Sequence, residues 1–138
     1  MKDKIFLDSN IFLYAFSNQD MIKKDISSKL LLDDNHTISI QVINEVSNIM
    51  LKKLKFTNSE IKEFIKDSYN RYSVINISED IFLKACDIRK NYNISYYDSL
   101  IISSAIESNC DFLYSEDMQH NQQIEKLKII NPFIDPKE

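Results

Sequence analysis

Short apolar runs of strand length alternate with stretches of helical periodicity along the whole chain, and this alternation limits the folds open to it. Lys4 to Asp8 reads as a buried strand, and a helix from about Asn10 to Phe16 follows at once. Asp20 to Leu32 carries Ile22, Ile26, Leu30 and Leu31 at helical spacing. Thr37 to Ile40 is strand-like. Gln41 to Leu54 is helical, with Val42, Val46, Ile49 and Met50 along one face. Ser59 opens another helix carrying Ile61, Phe64 and Ile65. Ser73 to Ile77 is a third strand, and Ser78 caps a helix bearing Ile81, Phe82, Ala85 and Ile88. A helix over Tyr97 to Glu107, a strand at Asp111 to Tyr114, a short helical piece at Asn121 to Glu125 and a fifth strand at Leu127 to Ile130 complete the pattern. Short apolar strands separated by helices imply a mostly parallel sheet covered on both faces, an α/β/α sandwich with five strands. The 138 residues fit a single domain, and Pro132 and Pro136 suggest an irregular tail over 132–138.

In an open parallel sheet, ligands bind beyond the carboxyl ends of the strands. Four acids converge on that edge. Asp8 ends the first strand and Asp117 follows the fourth. Glu45 and Asp98 lie in the first turns of helices that begin at the same edge. Each has a local explanation. Acids at helix starts complement the helix dipole, and an aspartate after a strand is a common turn residue. Asp8 is harder to dismiss, because it directly follows Ile5, Phe6 and Leu7 and aspartate is depleted from buried strands. Clustered carboxylates repel unless protons or cations share the site. Oxygen-only ligands favour Mg²⁺ or Mn²⁺, ions suited to phosphodiester hydrolysis. No histidine falls within the acid motifs, which disfavours zinc, and no side chain stands out as a general base.

Charge speaks against nucleic acid as a partner: the formal net charge is −4, whereas phosphate-binding proteins usually carry a basic footprint. A metal-loaded acidic pocket answers that objection. The run Lys52, Lys53 and Lys55 reads more readily as a solvated helix face than as a phosphate track. Cys86 and Cys110 have no zinc-type spacing and read as free buried thiols in a reducing compartment. The chain has no glycine, which excludes a glycine-rich phosphate loop. Asparagine, the next-best residue for left-handed backbone, stands near expected element ends at Asn35, Asn58, Asn93, Asn109 and Asn121. The longest apolar runs, such as Ile11 to Phe16, are too short to span a bilayer, and an early Asp8 makes a poor secretion signal. The expected setting is cytoplasmic, with no membrane partner.

Four segments then resemble, in order, the motifs of the PIN-domain family. They are Ile5-Phe6-Leu7-Asp8-Ser9-Asn10-Ile11, Gln41-Val42-Ile43-Asn44-Glu45-Val46, Tyr97-Asp98-Ser99-Leu100-Ile101 and Leu113-Tyr114-Ser115-Glu116-Asp117. The size is similar to compact bacterial members of VapC type, the ribonuclease toxins of toxin–antitoxin pairs. This resemblance implies a divalent-metal-dependent endoribonuclease whose catalytic and metal-binding residues are Asp8, Glu45, Asp98 and Asp117. It also implies an RNA substrate, an antitoxin partner and a homodimer, the last supported by the apolar and aromatic content of Ile11 to Phe16. Ser9, Asn10 and Ser115 are candidates to support the acids, and Glu116 to substitute for Asp117 as a ligand. His120 reads as a surface residue. Many relatives carry glycine after that histidine, where this chain has Asn121.

Two other readings compete. The fold could serve as a non-catalytic binding module. Alternatively, Asp8 could accept phosphate, as in aspartyl-phosphate phosphatases and receiver domains. Such phosphatases commonly need a second aspartate two residues on, where this chain has Asn10.

Overall fold

A computed structural model describes residues 2–134. It contains β1 (Ile5–Leu7), α1 (Ser9–Phe16), α2 (Met21–Leu30), β2 (Thr37–Ser39), α3 (Ile40–Lys52), α4 (Asn58–Arg71), β3 (Ser73–Ile75), α5 (Glu79–Asn91), α6 (Tyr96–Glu107), β4 (Phe112–Tyr114), β5 (Gln123–Ile124) and β6 (Leu127–Ile130). The sheet order is β3-β2-β1-β4-β6-β5. Five strands run parallel, with Phe6 opposite Thr37 and Leu113 and with Leu113 opposite Ile129. The sheet is therefore the expected mostly parallel one. The expected irregular tail begins within the described residues as turns and a bend after Ile130, and its last four residues lie outside them.

Burial along the central strands explains the layering. Successive strand residues point to opposite faces, yet Phe6 and Leu7 are both fully buried, as are Thr37, Ile38 and Ser39. Both faces of the sheet are therefore covered. The helix α6 packs against β2 and β4 and against α5, and it is buried continuously from Ser99 to Ala105. Two of its serines are satisfied, Ser103 Oγ donating to the Ile81 carbonyl of α5 at 2.7 Å and Ser99 Oγ to that of Tyr96 one turn back at 2.6 Å. Aromatic edges among Phe12, Phe16, Phe64 and Tyr72 fill the space between α1 and α4. Ile11 and Phe12 belong to this core and the rest of α1 to Phe16 is half-buried, so the segment is not the exposed apolar surface that the dimer expectation relied on.

One element differs from expectation. Residues 121–125 are not helical. Gln123–Ile124 instead forms a sixth strand, antiparallel to β6, with Ile124 opposite Leu127. The hairpin turns through Glu125 at φ 54°, a conformation usually assigned to glycine or asparagine. A two-residue strand closed by glutamate carries neither alternation nor a turn signature, so its sequence looked helical.

Left-handed backbone falls at Lys55, Asn109, Asn121 and Glu125. Two of the five asparagines noted above therefore serve this role, while Asn58 opens α4 behind a Thr57–Glu60 capping box. Asn121, where relatives carry glycine, has φ 68°. Asn109 closes α6 in a Schellman motif, its N–H reaching Ile106 O and that of Cys110 reaching Ala105 O, both at 3.0 Å. Replacing Asn109 by Ala should cost about 1 kcal/mol by the left-handed penalty, whereas Asn109→Gly should be neutral or slightly stabilising. Urea denaturation of the two variants checks this ordering.

Candidate active site

Because β1, β2 and β4 run parallel, the segments leaving them emerge at one edge. The helix α6 runs back towards the start of β4, so its N-terminus lies at that edge as well. Asp8, Glu45, Asp98 and Asp117 all line one cleft there, of about 430 Å³. Ser9, Gln41, Asn44, Asn48, Tyr97 and Ile101 complete its walls.

Asp8 is the anchor. It caps α1, is 6% exposed, and accepts hydrogen bonds on both oxygens: from Ser9 N to Oδ1 and from Ser115 Oγ to Oδ2, each at 2.8 Å. Burial pushes its pKa up to about 6. The two hydrogen bonds oppose that rise, and the charges of Glu45 and Asp98 add to it. The half-buried Asp98 is also raised, first by burial and then by the charge of Asp117, while Ser95 opposes the shift. The Ser95 hydroxyl receives the Asp98 N–H at 3.3 Å and starts α6 one residue earlier than the sequence pattern predicts. Asp117 is exposed, and its Oδ2 accepts from Asn10 Nδ2 at 3.3 Å. Glu45 is exposed on the second turn of α3.

Of the supporting residues, Ser9, Asn10 and Ser115 thus contact the acids directly. Glu116 does not join them. Its carboxylate is turned away, ion-paired with Lys23 and accepting from the Tyr14 hydroxyl. His120 is engaged in structure, its Nδ1 accepting from Asn131 N at 3.0 Å. Lys52, Lys53 and Lys55 are exposed around the end of α3 and do not line the cleft. The sequence reading missed Gln41, Asn44 and Asn48. With Glu45 they recur at helical spacing, and this polar stripe on an otherwise apolar helix was the available signal.

The donor set fits a hard divalent cation: carboxylate and amide oxygens, with no thiol or imidazole in the cleft. The upward shifts of Asp8 and Asp98 arise partly from mutual repulsion, which a cation would relieve. Among the described residues, no three His, Cys, Asp or Glu side chains are already gathered as ligands of one ion. The cleft therefore holds the donor chemistry without a closed ligand shell.

Comparison with known proteins agrees with this fold. No curated protein sequence matches the chain. A toxin–antitoxin complex from Klebsiella pneumoniae shares the fold with TM-score 0.70 at 19% identity, over 94% of this chain and 98% of that one. VapC20 of Mycobacterium tuberculosis, described as a Sarcin-Ricin loop cleaving toxin, gives 0.67 at 14% identity over 83% and 90%. VapBC2 of Rickettsia felis, bound to a promoter DNA fragment, gives 0.65 at 20% identity over 91% and 96%. Identities this low speak for the fold. The profile of the PIN domain matches residues 5–124, a span running from β1 through β5 and carrying all four acids, and the chain belongs to the PIN domain family.

Proposed function

We propose that the protein is a divalent-metal-dependent endoribonuclease acting as the toxin of a toxin–antitoxin pair. The observation that carries this reading is the gathering of Asp8, Glu45, Asp98 and Asp117 around one cleft of a PIN fold, with Asp8 buried and oriented by two donors. These four acids would hold Mg²⁺ or Mn²⁺. When bound, such an ion lowers the pKa of water and neutralises charge on a phosphodiester. The chain's own residues supply the positioning. Ser9 and Ser115 fix the Asp8 carboxylate, and Asn10 steadies Asp117. Gln41, Asn44 and Asn48 offer amides, which donate and accept hydrogen bonds, to the sugar and base edges of a bound strand. Tyr97, 69% exposed at the cleft wall, offers a ring on which an unpaired base can stack. These features favour single-stranded or looped RNA.

Several of the structural neighbours are complexes described as toxin–antitoxin or as bound to DNA, which supports an antitoxin partner. No helix among the described residues is long and apolar enough to cross a membrane. A homodimer also fits. Ile40 and Phe82 are exposed beside a groove that Ile43, Ile65, Ile77 and Leu100 continue between α3, α5 and α6, and a second copy would cover that apolar part while leaving Tyr97 to the cleft. Sedimentation is expected to give a dimer at micromolar concentration; a stable monomer at high micromolar concentration would remove this part alone.

The deciding experiment is cleavage of RNA and DNA panels with Mg²⁺, Mn²⁺ or excess chelator. RNA cleavage that stops in chelator is expected, with products bearing 5′-phosphate and 3′-hydroxyl ends. Undiminished cleavage in chelator, or 2′,3′-cyclic phosphate ends, would refute the mechanism. Protein contact without metal-dependent turnover would favour the binding-module reading. A covalent phosphoenzyme on Asp8 would favour the phosphatase reading.

A further inference from the structure

The segment after β4 is tied down at three consecutive residues, and all three ties run to the start of the chain. Ser115 Oγ donates to Asp8. Asp117 accepts from Asn10. Between them, Glu116 reaches one turn further along α1, accepting from the Tyr14 hydroxyl through Oε1 and pairing with Lys23 Nζ through Oε2. Asn10 and Tyr14 are four residues apart on α1, hence one turn apart on one face. The Glu116–Asp117 pair therefore lies along α1, with one residue gripped by each turn.

The outer grip is a built cluster. Lys23 comes from α2, and its Nζ is 4.8 Å from the Tyr14 ring centroid and 5.7 Å from that of Phe133. The two rings meet edge to face at 5.1 Å. The Lys23 and Glu116 side chains are only 30% and 22% exposed, so the pair is better shielded from solvent than a typical surface ion pair. Side chains of α1 and α2 meet the carboxylate from the β4–β5 connection, and Phe133 after β6 packs against the Tyr14 ring and Lys23.

We propose that Glu116, clamped by Lys23 and Tyr14, is a positioning residue that keeps Asp117 turned into the acid cleft. Asp117 needs such a device. It is exposed, it follows rather than belongs to a strand, and among the described residues its one side-chain hydrogen bond is a long one to Asn10. It also faces the charge of Asp98, which favours its leaving the cleft in the absence of a cation. The clamp holds the backbone at the preceding residue, so the Asp117 backbone can shift away from the cleft only if an ion pair and a hydrogen bond break first. In this arrangement Glu116 serves the cleft from behind, not as a substitute ligand for Asp117.

The proposal rests on the metal reading of the cleft for its functional consequence, and two measurements on the full chain keep the ideas separable. In metal-free protein, ¹⁵N order parameters of Ser115 to Met118 should fall in Glu116→Gln and in Lys23→Met. In Mn²⁺ titration by calorimetry, both variants should bind about 10-fold to 100-fold more weakly than the parent, the range seen when residues that orient metal ligands are lost. Lys23→Arg should restore both properties, and the double variant should be no worse than the weaker single one, because the pair acts as a unit. Unchanged order parameters in both variants would overturn the clamp, whatever the metal data. Looser loops with unaltered Mn²⁺ affinity would overturn its service to the site. A parent that binds no Mn²⁺ would refute the metal reading, and the order parameters would then decide the clamp alone.

Discussion

Asp8→Asn is expected to fold and to cleave RNA at least ~10²-fold more slowly than the parent, with Asp98→Asn behaving alike, because each removes one charge from the set proposed to hold the ion. The survival of the fold follows from the hydrogen bonds. The amide introduced by Asp8→Asn keeps an oxygen that can accept from Ser9 N. Its NH₂ group can donate to Ser115 Oγ once that hydroxyl rotates, so both polar contacts of the buried carboxylate have a replacement. The informative result is a cooperative melting transition together with lost turnover. Cleavage by Asp8→Asn at the parent rate would remove Asp8 from the mechanism. A variant that fails to fold would instead show that its carboxylate is needed for the α1 cap.

The second large effect is on stability. With chelator present, Asp8 carries a folded pKa of about 6 against an ordinary value of 3.8. The folded state therefore binds the extra proton in that window, and the contribution of Asp8 to stability falls as pH rises through it. At low pH the carboxyl is neutral in both states and nothing is lost. Above the folded pKa the full cost of an ionised buried carboxylate is present, up to ~3 kcal/mol for a shift of this size. Comparison with Asp8→Asn isolates this effect, because the remaining groups are shared. The variant should match the parent only below both pKa values, near pH 3, and exceed it increasingly up to pH 7.5 in urea denaturation. Saturating Mn²⁺ should close the gap at pH 7.5, since a ligand bound only by the folded parent stabilises it by mass action. A difference between parent and variant that is flat in pH would show that burial of Asp8 is not what sets its proton affinity.

The order of elements was readable from local patterns because those patterns are local physics. Apolar period two or continuous apolar runs mark Ile5–Leu7 and Phe112–Tyr114, and period 3.6 marks the faces of α3 and α5. Ser78 announces α5 by its side chain, which accepts from Ile81 N. The parallel sheet and its carboxyl edge follow from strands joined by helices, so a cleft for Asp8, Glu45, Asp98 and Asp117 could be located before any coordinates. The hairpin strand at Gln123–Ile124 was not readable. Its two residues have no pattern of their own, and they pair only because β6 offers an edge. Glu116 shows the same limit more sharply. Beside Asp117 in sequence it has the same chemistry, and only the packing of α1, α2 and the segment around Phe133 turns its carboxylate away from the cleft. The hairpin strand apart, the sequence by itself determined the order of strands and helices and which edge of the sheet gathers acids, because periodicity and caps act over a few residues. Only the tertiary structure decided the burial of Asp8 and the partner of Glu116, because desolvation and ion pairing depend on groups brought together from opposite ends of the chain.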